Sequence, residues 1–315
     1  MTLAAPPRGR HDATAAAVRQ VGAPEPSVLR RTRQQRRTAG ASLTATALAG
    51  LGALLLGFVA EVAVLGAVRH GRDQEVAFTR LRLELASGTT PLGALDTNGV
   101  PVVAGAPVAL LEVPSAGVKE VVLEGTSSGV LRSGPGHRRD TVLPGQVGTS
   151  VVMGRRGAYG GPFRNLGHLR PGQDLAVTTG QGRLRFRVLD VRVAGDPEPP
   201  PLAAGAARLT LVTASGPAFV PGGVLLVDAD LVGAGLAAPA GLPVVGSAEQ
   251  ELGTDSAALV PLVLWLQALV LAACGVTWAR HGWGRWQAWL VGAPVLTWIA
   301  VSAADQAACL LPNLL

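Results

Sequence analysis

Three long apolar segments constrain this chain more than any other feature. Residues 43–60, LTATALAGLGALLLGFVA, run without a charge, and two more apolar stretches, 257–279 and 286–304, lie near the other end. A membrane-spanning helix needs about 20 predominantly apolar residues, so three crossings are predicted and residues 67–256 must fold on one side of the bilayer. Charged residues make up only 15% of the chain against 48% apolar, which fits that division. The first segment follows a region of roughly 40 residues, too long for the n-region of a cleaved signal peptide, and is read as a retained signal-anchor over 39–66.

Arginine placement gives the orientation. Arg30, Arg31, Arg33, Arg36 and Arg37 precede the first segment, and the connector RHGWGR, 280–285, joins the other two into a helical hairpin. Excess Lys and Arg mark the cytoplasmic side. The N-terminus and the connector are therefore expected in the cytoplasm, with residues 67–256 and the short tail 305–315 outside a multi-pass cell-membrane protein. The net charge of +6 resides in residues 1–38, where eight arginines face only Asp12 and Glu25. That region has no apolar period and is expected to be a disordered tail suited to anionic membrane lipids, with no nucleic-acid partner implied. The two cysteines, Cys274 in a span and Cys309 in the tail, leave the outer region without a disulfide or a cysteine-based metal site. No metal or cofactor is expected.

Between the spans the texture changes. Residues 67–104 read as a juxtamembrane helix, with Val76, Leu81, Leu83 and Leu85 among charges, followed by an extended linker. From 105 to 232, short β-type runs alternate with Gly and Pro: VALLEVP, KEVVLEG, TSVVMG, DLAVTT, RLRFRVLDVRV, RLTLVTA and GVLLVDADL. Seven strands at such close spacing predict one sandwich or barrel. In RLRFRV, period-two geometry puts Arg183, Arg185 and Arg187 on one face, either solvated or offered to an anionic polymer or lipid headgroup. Residues 233–256, rich in Ala, Gly and Pro, read as a linker back to the membrane.

A set of ordered motifs runs through this region: Val121–Gly125, Leu131 and GPG at 134–136, LPG at 143–145, GGPF at 160–163 before LRPGQ, and the strand LTLVT. In these motifs residues 105–232 resemble the sortases, most closely the actinobacterial class E group, and a composition with Lys119 as the sole lysine suits such a source. The resemblance implies a mainly β fold, an eight-stranded barrel, here with one N-terminal and two C-terminal transmembrane helices. It also implies cleavage of sorting signals such as Leu-Pro-x-Thr-Gly, in which a cysteine attacks the threonine carbonyl, a histidine moves the proton and an arginine holds the oxyanion.

Against that pattern all three catalytic positions differ. The nucleophile's place after Thr210-Leu211-Val212-Thr213 is held by Ala214, which has no atom able to attack a carbonyl. The histidine's place in Gly154-Arg155-Arg156 is held by Arg155, which cannot give up its proton. The catalytic arginine's place aligns with Val224. Thr213, Arg156 and Ser215 remain as candidates for a peptide groove, with Arg155 adding a cation that would suit a carboxylate. Ser215 is expected in a turn on the face opposite Ala214, and His137 and His168 at the surface.

The leading expectation is a pseudosortase: a membrane-anchored, inactive sortase-like protein that binds a sorting-signal peptide or a cell-wall, pilus or secretion protein. A second is a scaffold subunit of a wall, pilus or secretion assembly. A third, a cysteine-independent transpeptidase with displaced residues, needs both a nucleophile and a base to have moved.

Overall fold

The computed structural model describes residues 55–93, 100–217, 222–238 and 256–314, with isolated positions between and before them. The basic tail and most of the first apolar segment lie outside the described residues. Eight strands form a closed barrel: β1 (Pro107–Val113), β2 (Val118–Glu124), β3 (Gly136–His137), β4 (Gly148–Met153), β5 (Asp174–Thr179), β6 (Gly182–Val193), β7 (Ala207–Ser215) and β8 (Gly223–Leu231). Around the barrel they run β1-β2-β3-β4-β7-β8-β6-β5, and β5 pairs with β1 to close it. The pairs β2–β3 and β4–β7 are parallel and the others antiparallel. The mainly β, eight-stranded fold is thus as expected, and each of the seven sequence-predicted strands is present.

The eighth, β3, escapes the alternation because it is two residues long. It exists because the backbone comes very close: a Cβ on Gly136 would lie 2.1 Å from the Gly125 carbonyl oxygen, so only glycine fits. Its second residue corrects an expectation. His137 is fully buried rather than at the surface, with Nδ1 2.9 Å from Glu124 Oε2 and Nε2 2.9 Å from the Val142 carbonyl.

The barrel interior holds Val108, Leu111, Val122, Phe163, Phe186, Leu209, Leu211 and Val227. Strand β7 is buried on both faces. Leu209 and Leu211 enter this core, whereas Val212 and Ala214 join a second cluster with Leu131 and Met153. The arginine face of β6 is solvated, and Arg183 and Arg187 pair with Glu112 of β1 and Asp174 of β5.

Helical residues 55–60 lead through one π-turn, Glu61–Leu65, into α1 (Gly66–Ser87). Ala77 and Leu81 of α1 pack on Val121, Leu123 and Val130, fixing the helix to the barrel wall. A four-residue helix, α2 (Ser128–Leu131), follows β2. Beyond the barrel stand α3 (Leu259–Gly282) and α4 (Arg285–Ala308), both long and apolar enough to cross a membrane. They pack closely where Gly292 meets Val276, and Trp265 and Trp298 contact edge to face at 5.1 Å.

The stretch beginning at 233 is no free linker. Leu236 bridges to Gln146, its N–H donates to the Gly145 carbonyl, and its own carbonyl accepts from Val147. Further on, the Glu249 carbonyl accepts from the Thr126 hydroxyl at 2.6 Å. The small residues among 233–238 that suggest a linker also suit such close backbone approach to the barrel.

Candidate functional site

Two of the three positions that the resemblance aligns with catalytic residues face each other across one strand pair. The β7–β8 register runs Thr213↔Leu225, Ala214↔Val224, Ser215↔Gly223, so Val224 lies directly opposite Ala214. Both are buried in the second cluster. The third position is brought alongside by the parallel β4–β7 pair. Met153 pairs with Val212, and the Gly154 N–H donates to the Val212 carbonyl at 2.9 Å, placing Arg155 just beyond the end of the ladder. The strand order therefore gathers Ala214, Arg155 and Val224 at one corner of the barrel.

Arg155 does not reach out from that corner. Its guanidinium is fully buried, donating from Nη2 to the Ser128 hydroxyl at 2.7 Å and to the Ser128 carbonyl at 3.3 Å, and it lies 5.1 Å from the centre of the Tyr159 ring. Nε and Nη1 have no partner. Burial lowers its pKa to about 10; Tyr159 and Cys309 oppose the shift and nearby Arg132 adds to it. The same burial raises the Tyr159 hydroxyl. The idea of a cation offered to a groove ligand is thus corrected: this charge is turned inward. The cause is the loop 154–163. Gly154 sits against the Phe163 ring, where a Cβ would be 2.5 Å from it, and the Tyr159 ring packs on Gly66 of α1, closing the loop over the guanidinium.

The groove candidates are placed differently from one another. Thr213 is fully buried on the core-facing side of β7, and its hydroxyl donates to the Gly154 carbonyl at 2.8 Å, tying β7 to the Arg155 loop. Arg156 is half-buried and donates from Nη1 to the Ala214 carbonyl at 3.1 Å. Ser215 is half-buried at the end of β7, where its carbonyl accepts from Gly222 and closes the turn. His168 is exposed on a single 3-10 turn, Leu166–His168, and His70 is 3.2 Å from Glu120.

One participant gave no signal in the motif pattern. Leu314, beyond the end of α4, is fully buried in the cluster containing Ala214, Val224, Leu131, Met153 and Val212. Its carbonyl accepts from the Arg156 N–H at 3.1 Å. The neighbouring Asn313 is also fully buried, its N–H donating to the Gly253 carbonyl and its Nδ2 to the Gln250 carbonyl at 2.7 Å. Below them, Asp305 pairs with Arg132 at 2.5 Å and Arg69 at 3.2 Å, while Ala308 packs with Ala158, Tyr159, Phe58 and Leu311. Apolar residues at 214 and 224 are the sequence signal that an apolar residue could be seated there, but the partner lies 90 or more residues away in the chain.

Comparison with known proteins gives a consistent family. Residues 111–231 match the sortase domain family. Sortase D of Bacillus subtilis is 27% identical over 84 residues, which span 27% of this chain and 41% of that relative. Among solved structures, a sortase D transpeptidase of Clostridium perfringens is 20% identical with a TM-score of 0.43, covering 51% of this chain and 99% of that one. A mutant of sortase E from Streptomyces avermitilis is 31% identical with a TM-score of 0.35, covering 42% of this chain and 91% of that one. Through its barrel, this chain belongs to the sortase family.

Proposed function

We propose that the chain is a pseudosortase, a membrane-anchored sortase domain on the outer face of the cell membrane that binds a sorting-signal peptide or partner protein without cutting it. The observation that carries this reading is the register Ala214↔Val224, two apolar side chains where acyl transfer needs a nucleophile and an oxyanion donor. A displaced mechanism gains no support from the described residues. His137 is buried with both ring nitrogens facing oxygen acceptors, and Arg155 is a buried cation with no proton to exchange near neutral pH.

The membrane topology in this reading has three spans, with residues 280–285 in the cytoplasm. Trp278, Trp283, Trp286 and Trp289 are exposed around that connector, together with Arg280 and Arg285, as an interfacial aromatic and basic belt would be. The experiment is direct: the purified full chain, given a sorting-signal peptide and an amine acceptor, yields neither cleavage nor transfer. Ala214→Cys alone does not restore it, because the base and the oxyanion donor are also missing. Nucleophile-dependent turnover by the wild-type chain would overturn the proposal.

The scaffold reading, a subunit of a wall, pilus or secretion assembly, draws on a separate observation. Val260, Leu264, Val270 and Leu271 of α3 are exposed along one long apolar helix that could meet lipid or another membrane protein. Crosslinking in membranes separates the two: capture of a sorting-signal peptide favours the first, and a stable membrane-protein adduct the second.

A further inference from the structure

We infer that residues 311–314 are an intramolecular ligand of the corner that holds Ala214 and Val224, and that this site takes a turn-forming peptide segment ending in a buried aliphatic residue. The inference rests on the binding reading above and names the ligand's chemistry. Its starting point is where the segment lies. Leu314 shares a buried cluster with Ala214 and Val224, and its carbonyl is held by the Arg156 N–H while the Arg156 side chain holds the Ala214 carbonyl. Arg156 thus bridges β7 and the segment through two separate donors. Asn313 adds two more hydrogen bonds, to the Gln250 and Gly253 carbonyls.

The sequence of the segment is the second observation. Leu311-Pro312-Asn313-Leu314 follows the end of α4 as a bend and turn, with a proline that stops the helix and Leu314 as the aliphatic residue that the turn delivers to the cluster. An aliphatic residue there needs an apolar seat, and Ala214 with Val224 provides one. An arginine at 224 would bring an unpaired charge into the same buried cluster, at a desolvation cost nothing in the cluster offsets. The substitutions that remove the chemistry are therefore the ones that make room for Leu314.

The segment is also held at its base. Asp305, in the last turn of α4, is paired with Arg132 and Arg69, and Arg132 adjoins Leu131 of the cluster. A peptide from another protein must displace residues 311–314 to bind, so the position of α4 controls access to the site.

The test uses the full chain in detergent micelles with Cys274 and Cys309 replaced by alanine. In this background an Ala214→Cys/Leu314→Cys double variant should form an intramolecular disulfide on mild oxidation, identified by peptide mass. The probe is a tagged peptide of sequence Leu-Leu-Pro-Asn-Leu-Leu, with a scrambled peptide controlling for partition into detergent. Leu314→Asp should bind the probe at least tenfold more tightly than the wild-type chain, and the oxidised double variant should not bind it. Should Leu314→Asp not give folded protein, the oxidised and reduced double variant carry the same contrast. Absence of the disulfide while Ala214→Cys alone reacts freely with maleimide would overturn the inference, as would equal probe binding by all forms or by none. Such a failure would leave the lack of catalysis standing, whereas turnover by the wild-type chain would remove the binding-only reading and leave the disulfide result intact.

Discussion

At the scale of single residues, Arg155 is the costliest feature of the site. A buried guanidinium without a carboxylate destabilises the fold, and the fall of its pKa to about 10 on burial expresses that cost. Because the folded-state value is the lower one, the penalty is constant below about pH 10 and falls away only as pH rises above it. Arg155→Met is therefore expected to raise stability by about 1–4 kcal/mol, as replacing buried charge with apolar volume does elsewhere. In thermal melts the gain should be the same at pH 6 and pH 9, and a loss of stability would mean that the guanidinium has a compensating partner. The proposal for Ala214, Arg155 and Val224 comes from the motifs they align with. The direction of the Arg155 side chain was not legible in the sequence, since it depends on Tyr159 closing the loop and on Gly66 of α1 admitting the ring. The burial of His137 was hidden for a similar reason: its partner Glu124 is a neighbour only once β2 and β3 pair in parallel.

At the scale of elements, that parallel pair is the weak joint of the barrel. With β3 only two residues long, the Glu124–His137 contact does much of the work of joining β2 to β4. Removing one member of a buried charged or polar pair typically costs about 3–5 kcal/mol. Glu124→Ala should lower the denaturation midpoint accordingly, whereas an exposed pair such as Arg187–Asp174 should contribute under about 1 kcal/mol when cut by Asp174→Ala. Equal effects of the two substitutions in chemical denaturation would contradict this ranking. Seven strands could be read from alternation and turn residues, and they carry the core. β3 has too few residues to show a period, and the stretch 233–238 has too few large apolar residues to show a face. Both are fixed by backbone hydrogen bonds, which leave little trace in side-chain pattern.

At the scale of the molecule, the parts meet at one corner. Arg69 near the start of α1, Arg132 after α2 and Asp305 near the end of α4 form one ionic cluster, and Phe58, Tyr159, Ala308 and Leu311 pack beside it. This is the corner that holds Ala214, so the helices that would anchor the domain also cover its site. The proposed topology predicts that Glu198→Cys is labelled by a membrane-impermeant maleimide on intact cells, and that Gly282→Cys is labelled only after lysis, both with Cys274 and Cys309 replaced by alanine. The reverse pattern would invert the orientation. The apolar segments and their arginine flanks were plain in the sequence; the contact between residues 311–314 and the barrel was not, because no local pattern joins positions so far apart in the chain.

The central claim is that this sortase domain binds without cutting. The most direct measurement is a mass-spectrometric turnover assay of the full chain in detergent with a sorting-signal peptide and an amine acceptor. The account predicts no product above the protein-free control, both for the wild-type chain and for Ala214→Cys. Product formation by the wild-type chain that disappears when Ser215 is changed to alanine would contradict it, since a displaced nucleophile would then be at work.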